Sequence, residues 1–268
     1  MKSSAESLFD ASRPLAERVA EAFAEDGPIA RATPGFRPRP GQVEFALAVA
    51  RAIEGKETLL AEAGTGTGKS FAYLVPAILS GAVVVISTAG KPLQDQLFQK
   101  DIPALSAAFG VNLPTAVLKG RSNYVCPHHL ERTESEGMLP QRDSYRKLRE
   151  IRRFAATSPT GDRAELPEDD PLWPLVTSTR ESCLGKDRCE HWEDCFVRAA
   201  REKAMKSQVI VVNHHLYLSS LALKNGAGGQ IDGMLPAANL TVFDEAHQLP
   251  AIATDFFGTF FSTRQIEQ

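Results

Sequence analysis

AGTGTGKS, residues 63–70, is the stretch on which the fold of this chain turns. A short apolar run, TLLAEA, precedes it and a helix-like run, FAYLVPAIL, follows it. That is the strand, turn and helix setting a phosphate-binding loop requires. The pattern G-x-x-x-x-G-K-[ST] is met by Gly68, Lys69 and Ser70, with Ala63 in the place of the first glycine. Gly64, Gly66 and Gly68, interleaved with Thr65 and Thr67, let successive backbone N–H groups turn inward on an anion. The N-terminus of the following helix favours the same charge. Lys69 is placed to reach the β- and γ-phosphates of a nucleoside triphosphate, and Ser70 to ligate magnesium through its hydroxyl.

Such a loop needs a carboxylate at the end of a neighbouring strand, and VFDEAH, residues 242–247, supplies one. Asp244 is the expected second magnesium partner, and Glu245 is expected to orient or deprotonate the attacking water. Between the two motifs the pattern alternates. AVVVIST reads as a strand, PLQDQLFQKDI as a helix and TAVLKG as a strand, while QVIVVNHH and LTVFDEAH are continuous apolar runs of the kind buried in a parallel sheet. The fold class is therefore α/β, a parallel sheet flanked by helices of the P-loop NTPase kind.

Upstream, residues 1–34 read as a helical segment with Ser12 as N-cap and Pro14 in the first turn, and RPRPGQVEFALAVARAIEGK as a second helix. The motor-like pattern occupies 35–120 and resumes over 201–250. Between them, 121–200 holds all four cysteines, both tryptophans, a basic helix candidate (QRDSYRKLREIRRF) and an acidic, proline-rich loop (ELPEDDP). This shift in composition predicts an inserted, mainly helical subdomain. It has little apolar sequence of its own, so metal ligation is expected to hold it where a core does not. In the basic helix, Tyr145, Leu148 and Ile151 or Arg152 suggest one packed edge, leaving Arg146, Arg149 and Arg153 on a face able to follow phosphates or simply to be solvated.

Composition fits a globular chain of 268 residues, and its formal charge of −3 gives no global nucleic-acid footprint, so any such surface is local. The N-terminus lacks a secretory apolar core, and the uncharged stretch 71–90 is interrupted by Pro76 and Ser80-Gly81, so a cytoplasmic chain is expected rather than a membrane span. Without a secretory context, Cys126, Cys183, Cys189 and Cys195 point to metal ligation or inert burial. The run CLGKDRCEHWEDC spaces three of them as C-x₅-C-x₅-C. That is loose for a zinc ribbon and compatible with a [4Fe-4S] cluster, so iron–sulfur, zinc and unliganded cysteines all remain open from spacing. His128, His129 and His191 stand beside them as surrounding or exposed groups.

AGTGTGKS and DEAH together resemble the superfamily 2 helicases. RPRPGQ resembles their adenine-sensing element, with Gln42 reading the base edge, and ISTAGKPLQDQL resembles the motif that lies along single-stranded DNA through Thr88 and Gln94. VVNHHL, FDEAHQLP, LKGRSNYVC and WPLVTSTRESC narrow the resemblance to the DinG/XPD group of iron–sulfur helicases. The resemblance implies an ATP-dependent 5′–3′ DNA helicase of repair or replication, using ATP, Mg²⁺ and a [4Fe-4S] cluster on the four cysteines. His247 would couple the nucleotide site to DNA motion. Implied partners are single-stranded and forked DNA, and a clamp-loader-associated subunit through a region not contained here. The insertion would act as a wedge or channel wall at the duplex junction. Only 21 residues follow His247, so 251–268 is read as the start of a further insertion and the second motor domain as absent. The competing readings are a non-catalytic single-strand-binding or redox-sensing module, and an NTPase with structural zinc.

Overall fold

A four-stranded, all-parallel sheet organises the first part of the structure, with strand order β2-β3-β1-β4. The strands are β1 (Val84–Thr88), β2 (Thr115–Val117), β3 (Val209–Asn213) and β4 (Leu240–Phe243). This computed structural model describes residues 7–137, 144–166, 171–226 and 235–258. The first six residues of the N-terminal segment, the start of the basic helix at 141–143, part of the acidic loop at 167–170 and the end of the chain at 259–268 lie outside the described residues. The chain divides into two compact units, 1–117 with 206–268, and 118–205.

In the first unit the central strands are the apolar ones. All five residues of β1 and the first four of β3 are buried, as a parallel sheet covered on both faces demands, while β4 at the edge is only partly covered. Helices α1 (Leu15–Ala22), α2 (Pro28–Ala32), α3 (Pro40–Gly55) and α4 (Lys69–Leu79) share one core with β1 and β3. α4 is apolar nearly all round and correspondingly buried from Ala72 to Leu79. Arg18 of α1 is buried against it and donates through Nη1 to the carbonyls of Leu8 (3.1 Å) and Leu79 (2.6 Å). It thereby satisfies a carbonyl at the C-terminal end of α4 that has no partner within the helix.

Two expectations for this unit are corrected. Among its described residues the N-terminal segment is broken into short helical pieces, including α1 and α2, and Pro14, not Ser12, stands at the N-cap of α1, the Ser12 hydroxyl donating to Asp10 Oδ1 at 2.6 Å. TLLAEA is no strand: Leu59 and Leu60 are 42% and 91% exposed, and the run leads into the loop without regular structure. An apolar run becomes a strand only where a neighbouring edge pairs with it, and these residues join none of the four strands. The segment PLQDQLFQKDI is α5 (Lys91–Gln96), a single π-turn (Leu97–Asp101) and the start of α6 (Ile102–Phe109).

The second unit holds α7 (Pro127–Glu136), α8 (Ser144–Thr157), α9 (Trp173–Val176) and α10 (Phe196–Met205), with antiparallel bridges Tyr124–Asp162 and Val125–Thr177. It has an apolar core of its own, contrary to the sequence reading. Val125, Leu130, Leu148, Ile151, Leu172, Trp173 and Val176 form it, from residues too scattered along the chain to show as a run. On α8 the buried edge is Ser144, Leu148 and Ile151, whereas Tyr145 is 51% exposed. The spacing i, i+4, i+7 follows the helix more closely than a strict three-residue step does. Gly161 takes φ +63°, and a Cβ there would run into the Phe196 ring. Gly161→Ala is expected to cost about 2 kcal/mol or more, read as a lowered denaturation midpoint of this unit.

Candidate nucleotide site and cysteine group

The two halves of the expected phosphate site, 176 residues apart in sequence, meet in the first unit. Lys69 opens α4, and its Nζ lies 3.3 Å from Glu245 Oε1. Parallel pairing of β1 with β4 sets Ser87 beside Phe243, and the next amide, that of Asp244, donates to the Ser87 carbonyl at 2.9 Å. Asp244 is thus fixed at the strand end and is 8% exposed. Glu245 follows at φ 58°, a left-handed conformation that a residue with a Cβ adopts at a cost of about 1–2 kcal/mol. Its Oε2 lies 3.3 Å from His247 Nδ1, so one carboxylate stands between the loop lysine and the exposed His247.

Gly66 and Gly68 both take φ +77°, which is what turns the loop inward ahead of α4. Thr67 donates to the Gly64 carbonyl at 2.8 Å, and Arg39 Nη1 donates to the Gly66 carbonyl. Gln42 is 6% exposed and donates through Nε2 to the Gly68 carbonyl at 3.0 Å, so its amide grips the loop. Ala63, Thr65 and Ser70 complete the segment. Burial pushes the Tyr73 phenol well above the ordinary tyrosine range, with the Asp244 charge acting in the same sense. The phenol therefore stays protonated and donates to Asp244 Oδ2 at 2.8 Å. Ser70 also adjoins this phenol and the carboxyl of Asp101, whose pKa burial raises. The Ser70 hydroxyl and the Asp244 carboxylate are hard oxygen donors of the kind magnesium takes. Tyr73 and Asp101 escaped the sequence reading, although Ser70 and Tyr73, three apart on a helix, share a face.

Thr88 and Gln94, expected along single-stranded DNA, are both buried. Thr88 has no exposed surface and Gln94 is 1% exposed, because the end of β1 and the inner face of α5 pack into the unit. In the second unit Arg149 and Arg153 of α8 are exposed, as is Arg146, which has a partner of its own. Arg152 lies 3.4 Å from Glu134.

Cys126, Cys183, Cys189 and Cys195 are all unpaired, half-buried residues of the second unit. The Cys126 thiol is raised by burial and, less, by the neighbouring Cys195 and Cys189, while the charge of the half-buried Arg201 reaches Cys183 and Cys195. Arg121 Nη1 donates to Cys183 Sγ at 3.2 Å. Among the described residues no three of His, Cys, Asp or Glu are gathered closely enough to hold a single metal ion. His191 Nε2 lies 2.5 Å from Glu131 Oε2, and His129 is drawn below the ordinary histidine range by burial.

No helix among the described residues is long and apolar enough to cross a membrane. The parallel sheet and the loop at the head of α4 define a P-loop α/β domain of the RecA-like kind. No protein-family profile matches the chain. It is 43% identical over 252 residues to the ATP-dependent DNA helicase YoaA of Haemophilus influenzae, covering 93% of this chain and 39% of that protein. Against YoaA of Escherichia coli the identity is 45% over 250 residues, with shares of 91% and 38%. Against the ATP-dependent helicase DinG of Mycobacterium tuberculosis it is 37% over 258 residues, with shares of 88% and 38%. The chain is a homologue of the YoaA and DinG helicases, and spans about two-fifths of the length of these relatives.

Proposed function

We propose that this chain is the nucleotide-binding motor part of an ATP-dependent 5′–3′ DNA helicase acting in the cytoplasm in DNA repair or replication. The observation that carries this is the convergence of Lys69 with the Asp244–Glu245 pair, in a chain homologous to proteins named DNA helicases. Without nucleotide, Lys69 is neutralised by Glu245. An incoming triphosphate offers Lys69 a denser negative charge, and the exchange frees Glu245 to accept a proton from the attacking water. Ser70 and Asp244 would hold Mg²⁺, which neutralises charge on the phosphate oxygens. His247, beside Glu245, is placed to sense that exchange.

The second unit would carry a [4Fe-4S] cluster on Cys126, Cys183, Cys189 and Cys195, with Arg121 and Arg201 offsetting its negative charge. A cubane is held by four thiolates, and Cys189 and Cys195 lie near enough to Cys126 to act on its thiol. Arg146, Arg149 and Arg153 of α8 would follow the phosphates of single-stranded DNA.

The test is twofold. The chain purified without oxygen is expected to bind ATP saturably in Mg²⁺ and a single-stranded oligonucleotide in low salt, and absence of saturable nucleotide binding would sink the motor reading. It is expected to be brown, with about four irons per chain, and a colourless protein releasing zinc would replace the cluster by a structural zinc site.

A further inference from the structure

We infer that Tyr73 is a positioning residue for the metal site, orienting the Asp244 carboxylate through its phenol oxygen. The inference rests on the nucleotide and magnesium reading above and deepens it.

Tyr73 lies one turn beyond Lys69 on α4 and is 4% exposed. Its hydroxyl donates to Asp244 Oδ2 at 2.8 Å, a buried hydrogen bond between residues 171 apart in sequence. The Asp244 amide is held by the Ser87 carbonyl, so the backbone is fixed and the remaining freedom is rotation of the carboxylate. A phenol donating to one oxygen removes that freedom and leaves the other oxygen for the site. The Ser70 hydroxyl adjoins the same phenol and, on its other side, Asp101 at the end of the π-turn between α5 and α6. Single π-turns inside helices are frequent at functional sites, and this one brings a carboxyl beside the loop. The observed link is the buried hydrogen bond from Tyr73 to Asp244, with Ser70 and Asp101 as polar neighbours. Tyr73 acts through Asp244, not on the substrate directly.

Phenylalanine at 73 keeps the ring and removes only the oxygen. Nucleotide affinity of the parent chain and of Tyr73→Phe is to be measured in a magnesium series and in EDTA, with the melting temperature as a check of fold. The expected result is an affinity in EDTA within about twofold of the parent, and a magnesium concentration for half-maximal enhancement raised about tenfold, the size of one hydrogen bond to a charged group. In an Asp244→Asn background the same substitution is expected to have no further effect on the magnesium requirement. An unchanged magnesium requirement overturns the inference. Equal weakening with and without magnesium, or a chain that no longer folds, assigns the hydroxyl to packing and also overturns it. Failure of the parent chain to bind nucleotide under either condition overturns the motor reading itself, and the inference with it.

Discussion

Lys69→Ala is expected to weaken ATP binding roughly 10- to 100-fold and to erase the preference for ATP over ADP, while leaving the fold intact. The magnitude is that of the charge-assisted hydrogen bonds a single ammonium makes to terminal phosphates. The cost to stability is small, since the Lys69–Glu245 pair has side chains 30% and 37% exposed and such pairs contribute less than about 1 kcal/mol. Titration of a fluorescent ATP analogue, with ADP in competition, reads the binding, and thermal melting checks the fold. Unchanged ATP affinity in a folded variant would mean that Lys69 serves only Glu245. Any hydrolysis by the chain is expected to fall further, by about 10²–10³, since the lysine faces charge that develops during phosphoryl transfer.

Trp173→Ala is expected to destabilise the second unit by about 3–5 kcal/mol, the range for truncating a buried aromatic. Trp173 is 2% exposed at the centre of that unit's core, and its indole N–H donates to the Ser122 carbonyl at 2.6 Å. The substitution opens a cavity and leaves a carbonyl without a partner, close in sequence to Cys126. Denaturant unfolding with limited proteolysis measures it: the 118–205 unit is expected to be cut first, while the parallel sheet stays protected. A variant with the parent's midpoint would show that something other than the apolar core, such as metal ligation by the cysteines, holds this unit. Trp173→Phe keeps most of the ring and is expected to lose about 1 kcal/mol, chiefly the hydrogen bond.

The parallel sheet was legible because its strands are short β-branched runs such as VVVIST and VIVVN, whose continuous burial has no other economical explanation. The candidate nucleotide site was legible because phosphate chemistry demands a fixed local string, AGTGTGKS, and a strand-end carboxylate, VFDE. TLLAEA misled for the opposite reason: pairing is a property of a neighbouring edge, and no periodicity within six residues reports whether one is present. The burial of Thr88 and Gln94 was not legible because a motif position carries no record of whether its side chain faces solvent or the interior.

The sequence by itself determined the α/β class, the phosphate loop, the acid pair and the place where the pattern is interrupted, since each is written in contiguous residues whose chemistry is local. Only the tertiary structure decided that Tyr73 grips Asp244, that Gln42 is turned onto the Gly68 carbonyl, and that the second unit has a core running from Val125 to Val176. The two hydrogen bonds join residues 26 and 171 positions apart. Their energy depends on burial and hydrogen-bond geometry, which exist only once the strands have set β4 beside β1 and the helices have closed over them.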